Sequence, residues 1–209
     1  MVPLWNRLVR RLRRLAGRGW SAQEFQQRYA GNRSDVWGYL NSQPHQERSD
    51  RIFSAFAGRR PQRLLELGCA EGFLTRRLAG LAEEIVACDL SEMAVQRAQA
   101  YCSDLSNVRF LATDVRDRLP EGSFDECLAS DVLYYLSPSE IEVLGDRLRQ
   151  LMPGSARLVL ANEWNHDYRD LTAPEVALQS LTKGGRWRCV SRDNQVTGHG
   201  RSHFLAVLQ

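Results

Sequence analysis

The sequence predicts an α/β fold, a mainly parallel sheet with helices on both faces. Three observations predict it. From residue 62 onward, short apolar runs alternate with helical segments. The first run, "RLLEL", stops at a turn holding Gly68 and Gly72, and later runs also end at acids. The last two runs are joined only by the short loop "VTGHGRS", which reads as a hairpin and adds an antiparallel strand.

The elements follow in order. The spacing predicts a strand at "QRLLEL" and a helix over 71–80. "EIVACDL" is a second strand, and a helix runs from Ser91 to about Ser103. "NVRFLATD" and "SFDECLAS" are strands three and four. "SPSEIEVLGDRLRQLM" is a helix opened by Ser137-Pro138. "ARLVLANE" is the fifth strand, "APEVALQSL" a helix, and "RWRCVSRDNQ" with "HFLAVLQ" the closing hairpin.

Upstream lies an arm, residues 21–60, read as helical. "SAQEFQQRY" opens with the capping pattern Ser21…Glu24, and "HQERSDRIFSAFAG" is a second helix ending at Gly58. The loop between them carries Trp37 and Tyr39. Segment 4–16, "LWNRLVRRLRRLA", sets Leu4, Leu8, Leu12 and Leu15 on one face of a basic amphipathic helix. Two readings stay open for it: a helix that packs on the domain, or one that lies on an anionic membrane or a partner. The chain thus divides into 1–20, 21–60 and a main domain, 61–209.

Charge narrows the function. The formal net charge is +3, but residues 1–20 hold six Arg and no acid. Without them 22 basic residues face 25 acidic ones, so the body is mildly acidic and does not suit general nucleic-acid binding. Five scattered Cys without a C-x-x-C argue against a disulfide framework or a zinc site, and no metal is expected. The expected setting is a reducing cytoplasm, with peripheral membrane contact through residues 4–16 as the open addition.

In a sheet of this kind, ligands bind at the carboxyl ends of the strands, where strand order reverses. A glycine at Gly68 lets a ligand lie against the backbone. A phosphate at the turn is expected to meet the acids Glu66 and Glu71 and no basic residue, which disfavours a pyrophosphate and suits a cationic ligand with an amino-acid portion. Asp89, ending the second strand, can accept from two ribose hydroxyls. Asp114, ending the third, can accept from an exocyclic amine while Val115 offers an N–H to a ring nitrogen.

These stretches, "ELGCAEG", "ACDLS", "ATDV", "FDECLASDVLYYL" and "LMPGSARLVL", resemble the motifs of class I S-adenosylmethionine-dependent methyltransferases over about residues 62–209. The resemblance implies a Rossmann-like seven-stranded sheet with its last strand antiparallel. "DVWGYLNSQPHQERSDRI", "SDVLYYLS" and "NEWNHDY" are similar to the nodulation-type (NodS-like) methyltransferases, which N-methylate the deacetylated glucosamine of chitin oligosaccharides. That family carries Asp-Pro-Trp where this chain has Asp35-Val36-Trp37.

The resemblance implies a cofactor wall of Glu66, Gly68, Cys69, Ala70, Gly72 and Phe73. Asp89 and Leu90, then Thr113, Asp114 and Val115, form its nucleoside side, and Ser130, Trp37 and Arg48 close it. Arg48 is read as a partner for the cofactor carboxylate or as a surface ion pair. Asp131, Tyr134, Glu163 and His166 are the catalytic candidates, with Asp131, Glu163 or His166 orienting the acceptor and taking its proton. One of Tyr134 and Tyr135 is expected in the core and the other in the pocket. His199 and His203 are secondary candidates.

The implied cofactor is S-adenosyl-L-methionine, leaving S-adenosyl-L-homocysteine. The implied acceptor is a small molecule or saccharide, best an amino-sugar amine, and no nucleic acid. An O-methyltransferase of a natural product or lipid-linked glycan, and a non-enzymatic scaffold held at a membrane, are the competing readings.

Overall fold

The computed structural model describes residues 22–31, 34–40, 42–165, 171–196 and 201–209. The Arg-rich segment 4–16, Ser21, His166 and His199 lie outside these residues.

Two helices form the arm: α1 (Ala22–Tyr29) and α2 (Gln43–Ala55). The sequence reading starts α2 at His45; the helix opens two residues earlier because Pro44 fits its first turn, where a missing N–H costs nothing. Then come β1 (Arg63–Leu67), α3 (Phe73–Leu78), β2 (Glu84–Asp89), α4 (Glu92–Tyr101), β3 (Val108–Ala112) and β4 (Glu126–Ser130). After a short 3-10 turn, Leu133–Tyr135, follow α5 (Pro138–Leu151), β5 (Arg157–Asn165), α6 (Pro174–Thr182), β6 (Cys189–Val196) and β7 (Arg201–Leu208).

The seven strands run in the order β3-β2-β1-β4-β5-β7-β6. Strands β1 to β5 are parallel neighbours, and β7 pairs antiparallel with both β5 and β6. Strand order reverses between β1 and β4, and a crevice opens there above the strand ends.

Central strands are buried on both faces, so alternate residues feed two cores. Leu65 and Leu67 join Val86, Cys88, Ile141, Leu144 and Trp187 on one side. Leu64 joins Ile85, Ala87, Ile52, Phe56 and Leu78 on the other. Glu66 shares the second side with Leu64, so β1 turns a carboxylate toward α2 and α3.

Caps set the helix starts. Ser137 and Glu140 form a reciprocal capping box at α5, and the Ser91 side chain accepts the Ala94 N–H at α4. The helix expected over 71–80 begins only at Phe73, because Ala70 (φ +49°) and Gly72 (φ +83°) hold the preceding turn in the left-handed region. All five cysteines are free thiols. No helix among the described residues is long and apolar enough to cross a membrane.

Candidate active site

The turn after β1 is shaped by close packing. A Cβ on Gly68 would stand 3.1 Å from Val132 Cβ and 3.3 Å from the Ser130 carbonyl. Only glycine lets β1 and β4 approach this closely while keeping φ at +80°. Gly72 has a different task from the one its sequence position suggests. A Cβ there would meet Ala98 at 3.1 Å and Cys102 Sγ at 3.2 Å, so Gly72 seats the turn against α4 and lines neither cavity described below.

Two cavities flank this turn. The first, about 770 Å³ counted to its mouth, is bounded by Asp89, Leu90, Thr113, Asp114 and Val115 on one side, and by Asp131, Tyr134, Trp37 and α1 on the other. The second, about 780 Å³, is bounded by Arg48, Glu66, Cys69 and Phe73. Tyr39, Gly68, Ala70 and Ser130 line both, so the two form one cleft across the β1/β4 crossing.

Asp89 is held by two backbone donors, Ala70 N–H at 3.0 Å and Ser91 N–H at 2.9 Å. Burial raises its pKa, and these two donors, with the Leu90 N–H, oppose the rise. Glu66 is 1% exposed and its Oε2 has no hydrogen-bond partner. Burial pushes its pKa up to about 7. A buried carboxylate oxygen left open on a cavity wall fits a donor brought by a ligand.

Arg48 is buried in an ion pair with Asp131, and its Nη2 donates to Ser130 Oγ at 2.7 Å. Its Nε is buried without a partner. Burial, the largest effect, would lower the Arg48 pKa, but Asp131 together with Tyr39, Tyr134 and Glu163 outweighs it and the net shift is upward. The surface ion pair of the sequence reading is thus an interior one, and Arg48 reaches the second cavity already engaged. Asp131, at φ +53°, also accepts the Glu163 N–H at 2.7 Å. Burial raises its pKa and Arg48 pulls against the rise.

Three expectations need correction. Glu71 is buried away from the cleft. Its carboxylate meets Arg97 at 2.9 Å and accepts the Val36 N–H at 2.8 Å. Arg97 meets the turn at Glu71 and Arg48 lines the cavity beside Gly68 and Ala70, so the case against a pyrophosphate rests on Glu66 alone. Asp114 lines the first cavity but is held by Arg116 through Nε at 2.9 Å and Nη2 at 2.5 Å. Burial raises the Asp114 pKa, yet the Arg116 hydrogen bonds win and the net is lowered. Two residues apart, this pair gave no periodic signal. Finally, Tyr134 and Tyr135 both line the first cavity, rings 4.5 Å apart and edge to face, where the sequence suggested one.

The loop over the cleft is built by Asp35, at φ +58°, whose carboxylate accepts Tyr39 N–H at 2.6 Å and Leu40 N–H at 3.0 Å. Trp37 Nε1 donates to the Tyr29 hydroxyl at 2.7 Å. Val36 uses the N–H that a proline would lack.

Glu163 ends up beside two histidines, His45 Nδ1 at 3.7 Å and His203 Nε2 at 4.0 Å. The sequence reading missed His45 and ranked His203 low. A signal for His45 existed: His45, Arg48 and Arg51 recur at three-residue spacing and share one face of α2. His203 is buried on β7, within the strand "HFLAVLQ" of the sequence reading. Burial first, then Arg48, lowers its pKa, and Glu163 opposes them.

Residues 26–196 match the family model for Nodulation protein S (NodS). The chain belongs to the NodS family. Nodulation protein S of Rhizobium tropici is 30% identical over 127 residues, covering 57% of this chain and 52% of the relative. That of Bradyrhizobium diazoefficiens is 27% identical over 135 residues, covering 60% and 64%. The matches thus span between about half and two thirds of these NodS relatives. Among solved structures, N-methyltransferase NodS from Bradyrhizobium japonicum WM9, in complex with S-adenosyl-L-homocysteine, superposes with a TM-score of 0.79 at 22% identity, covering 90% of this chain and 96% of that one. At that identity the likeness shows a shared NodS fold.

Proposed function

We propose that this NodS-family chain is an S-adenosylmethionine-dependent N-methyltransferase acting on a small-molecule or saccharide amine, best an amino sugar. One observation carries the reading. Asp89 is fixed by Ala70 and Ser91 at the end of β2, beside the glycine turn, and can accept the paired hydroxyls of a ribose. The solved NodS structure with S-adenosyl-L-homocysteine supports the choice of nucleoside.

The donor set fits that cofactor. Glu66, with its open buried oxygen, suits an ammonium. Arg48, whose Nε is open, suits a carboxylate in the same cavity. Leu90, Thr113 and Val115 line a slot for a base, where the Val115 N–H suits a ring nitrogen, with Asp114 already committed to Arg116. Gly68, Cys69, Ala70 and Phe73 set the floor, and Trp37 and Tyr39 the cover. When bound, the cofactor supplies a methyl group already activated on a sulfonium. The protein's own work is then alignment and handling the acceptor's proton. Asp131 and Tyr134 stand beside the crossing point, where an acceptor nitrogen would be oriented.

The amine assignment draws on the N-methyltransferase named in the solved NodS structure. Incubation with methyl-labelled cofactor tests it. Label should pass to glucosamine oligomers with free amines and not to their N-acetylated forms. Transfer to hydroxyl-only acceptors instead would replace the reading with O-methylation.

A further inference from the structure

The two cavities meet at Tyr39, Gly68, Ala70 and Ser130, which line both. Gly68 and Ala70 bring no polar side chain there, and Ser130 Oγ already accepts from Arg48 at 2.7 Å. Tyr39 differs from all three. Among the described residues it hydrogen-bonds through its backbone N–H, to Asp35 Oδ1 at 2.6 Å, and its hydroxyl is left open. The ring is nevertheless held. It packs edge to face on His45 with centroids 5.0 Å apart, and tilted against Phe73 at 6.2 Å. A fixed ring with an uncommitted hydroxyl is a group already in place for a ligand.

Asp131 lines the first cavity beside the same meeting point. Its carboxylate accepts the Glu163 N–H at 2.7 Å and pairs with Arg48. A carboxylate offers about four acceptor sites, so Asp131 keeps room for a further donor. The Tyr39 phenol lies within electrostatic reach of it. Burial first, and then Asp131, hold the Tyr39 pKa far above the usual phenol range, with Arg48 opposing. Tyr39 therefore stays a neutral phenol. It cannot serve as a base, but its oxygen can accept a hydrogen bond.

We propose that Tyr39 and Asp131 together orient the acceptor amine, each accepting one of its N–H groups. The proposal rests on the amine-methyltransferase reading above, in which the sulfonium falls where the nucleoside cavity meets the amino-acid cavity. A neutral primary amine has two N–H donors and one lone pair. With both donors held, the lone pair has one direction left, toward the methyl. That pair forms the new N–C bond as the C–S bond breaks and leaves its electrons on sulfur. Positive charge passes from sulfur to nitrogen, so the transfer itself moves no proton. A hydroxyl acceptor has a single O–H and would leave one of the two acceptors unfilled, so the pair selects for nitrogen.

The test is Tyr39→Phe, which removes the hydroxyl and keeps the ring on His45 and Phe73. Variant and wild type are compared on glucosamine oligomers, at a pH that holds the amine neutral. The single-turnover rate should fall about 10- to 100-fold, the cost of a misaligned nucleophile. Affinity for S-adenosyl-L-homocysteine should stay within about twofold. A second readout needs no turnover. In wild type isotope-labelled at tyrosine Cζ, with S-adenosyl-L-homocysteine bound, adding the oligomer should shift the Tyr39 NMR signal, identified by its absence from Tyr39→Phe. A rate loss below about threefold, or a loss confined to oligomer half-saturation, would overturn the proposal. So would a Tyr39 signal that does not move, or a fall in S-adenosyl-L-homocysteine affinity as large as the fall in rate. No transfer to amines by wild type would overturn the amine reading and this proposal with it, whereas an active wild type matched by Tyr39→Phe overturns the role of Tyr39 alone.

Discussion

Arg48 on α2 and Asp131 at the end of β4 are paired inside the protein, with side chains only 4% and 13% exposed. The pair ties the arm to the sheet where strand order reverses. Removing one partner leaves the other charge buried and uncompensated. Arg48→Met should therefore cost about 3–5 kcal/mol in urea unfolding. The Arg48→Met/Asp131→Asn double variant should recover a sizeable part of it. A single-variant cost under about 1 kcal/mol would mean the pair is solvated, and the assignment would fall.

Val36 departs from the family's Asp-Pro-Trp element, and its N–H bonds Glu71 at 2.8 Å. Val36→Pro removes that donor. It should destabilise the fold by about 1–3 kcal/mol, less whatever Arg97 recovers at the same carboxylate. Thermal unfolding of the variant, beside Val36→Ala as a control that keeps the N–H, separates backbone from side-chain effects. Equal melting temperatures for the two would show that the bond contributes nothing.

The glycines of the first turn have separate roles. Gly72→Ala adds a methyl against Ala98 and Cys102 at a positive φ. It should lower stability by more than about 1 kcal/mol. A fully stable variant with weaker ligand binding would instead return Gly72 to the cleft.

Much of this was legible in the sequence for a physical reason. Strands buried on both faces read as short apolar runs closed by turn residues, so strand ends could be located, and with them Glu66, Asp89 and Asp114. What those acids touch was not legible. Asp114 is held by Arg116 just two residues on, and Glu71 is turned away from the cleft by Val36 and Arg97, which only the folded chain brings near. Glu163 and His203 meet through strand register, and the antiparallel return of β7 sets that register over a long stretch of chain. The Arg48–Asp131 pair likewise depends on how α2 docks, which no local pattern encodes.

Glu66 gives the chain a pH signature. Its unfolded pKa is 4.5 and burial raises the folded value to about 7. Below 4.5 both states hold the proton and burial costs little. As pH rises from 4.5, the unfolded chain gives up the proton that the folded state keeps, and about 3 kcal/mol of stability is lost by the time pH has passed about 7 and the folded state ionises too. Glu66→Gln should abolish that decline, so the variant gains on wild type between pH 5 and 8 in denaturant titrations. An ammonium ligand favours the ionised form, so wild-type affinity for S-adenosyl-L-homocysteine should rise over the same window and stay flat in Glu66→Gln. Parallel stability curves for both proteins would contradict the assignment.

The most direct test is calorimetric titration of S-adenosyl-L-homocysteine into the folded chain and into Asp89→Ala, with unfolding curves confirming that both are native. The nucleoside-site account predicts saturable binding to wild type. Losing the ribose-facing carboxylate should weaken it about 10- to 100-fold, the equivalent of one or two charged hydrogen bonds. Absence of binding to the folded wild type, or equal affinity in Asp89→Ala, would contradict it.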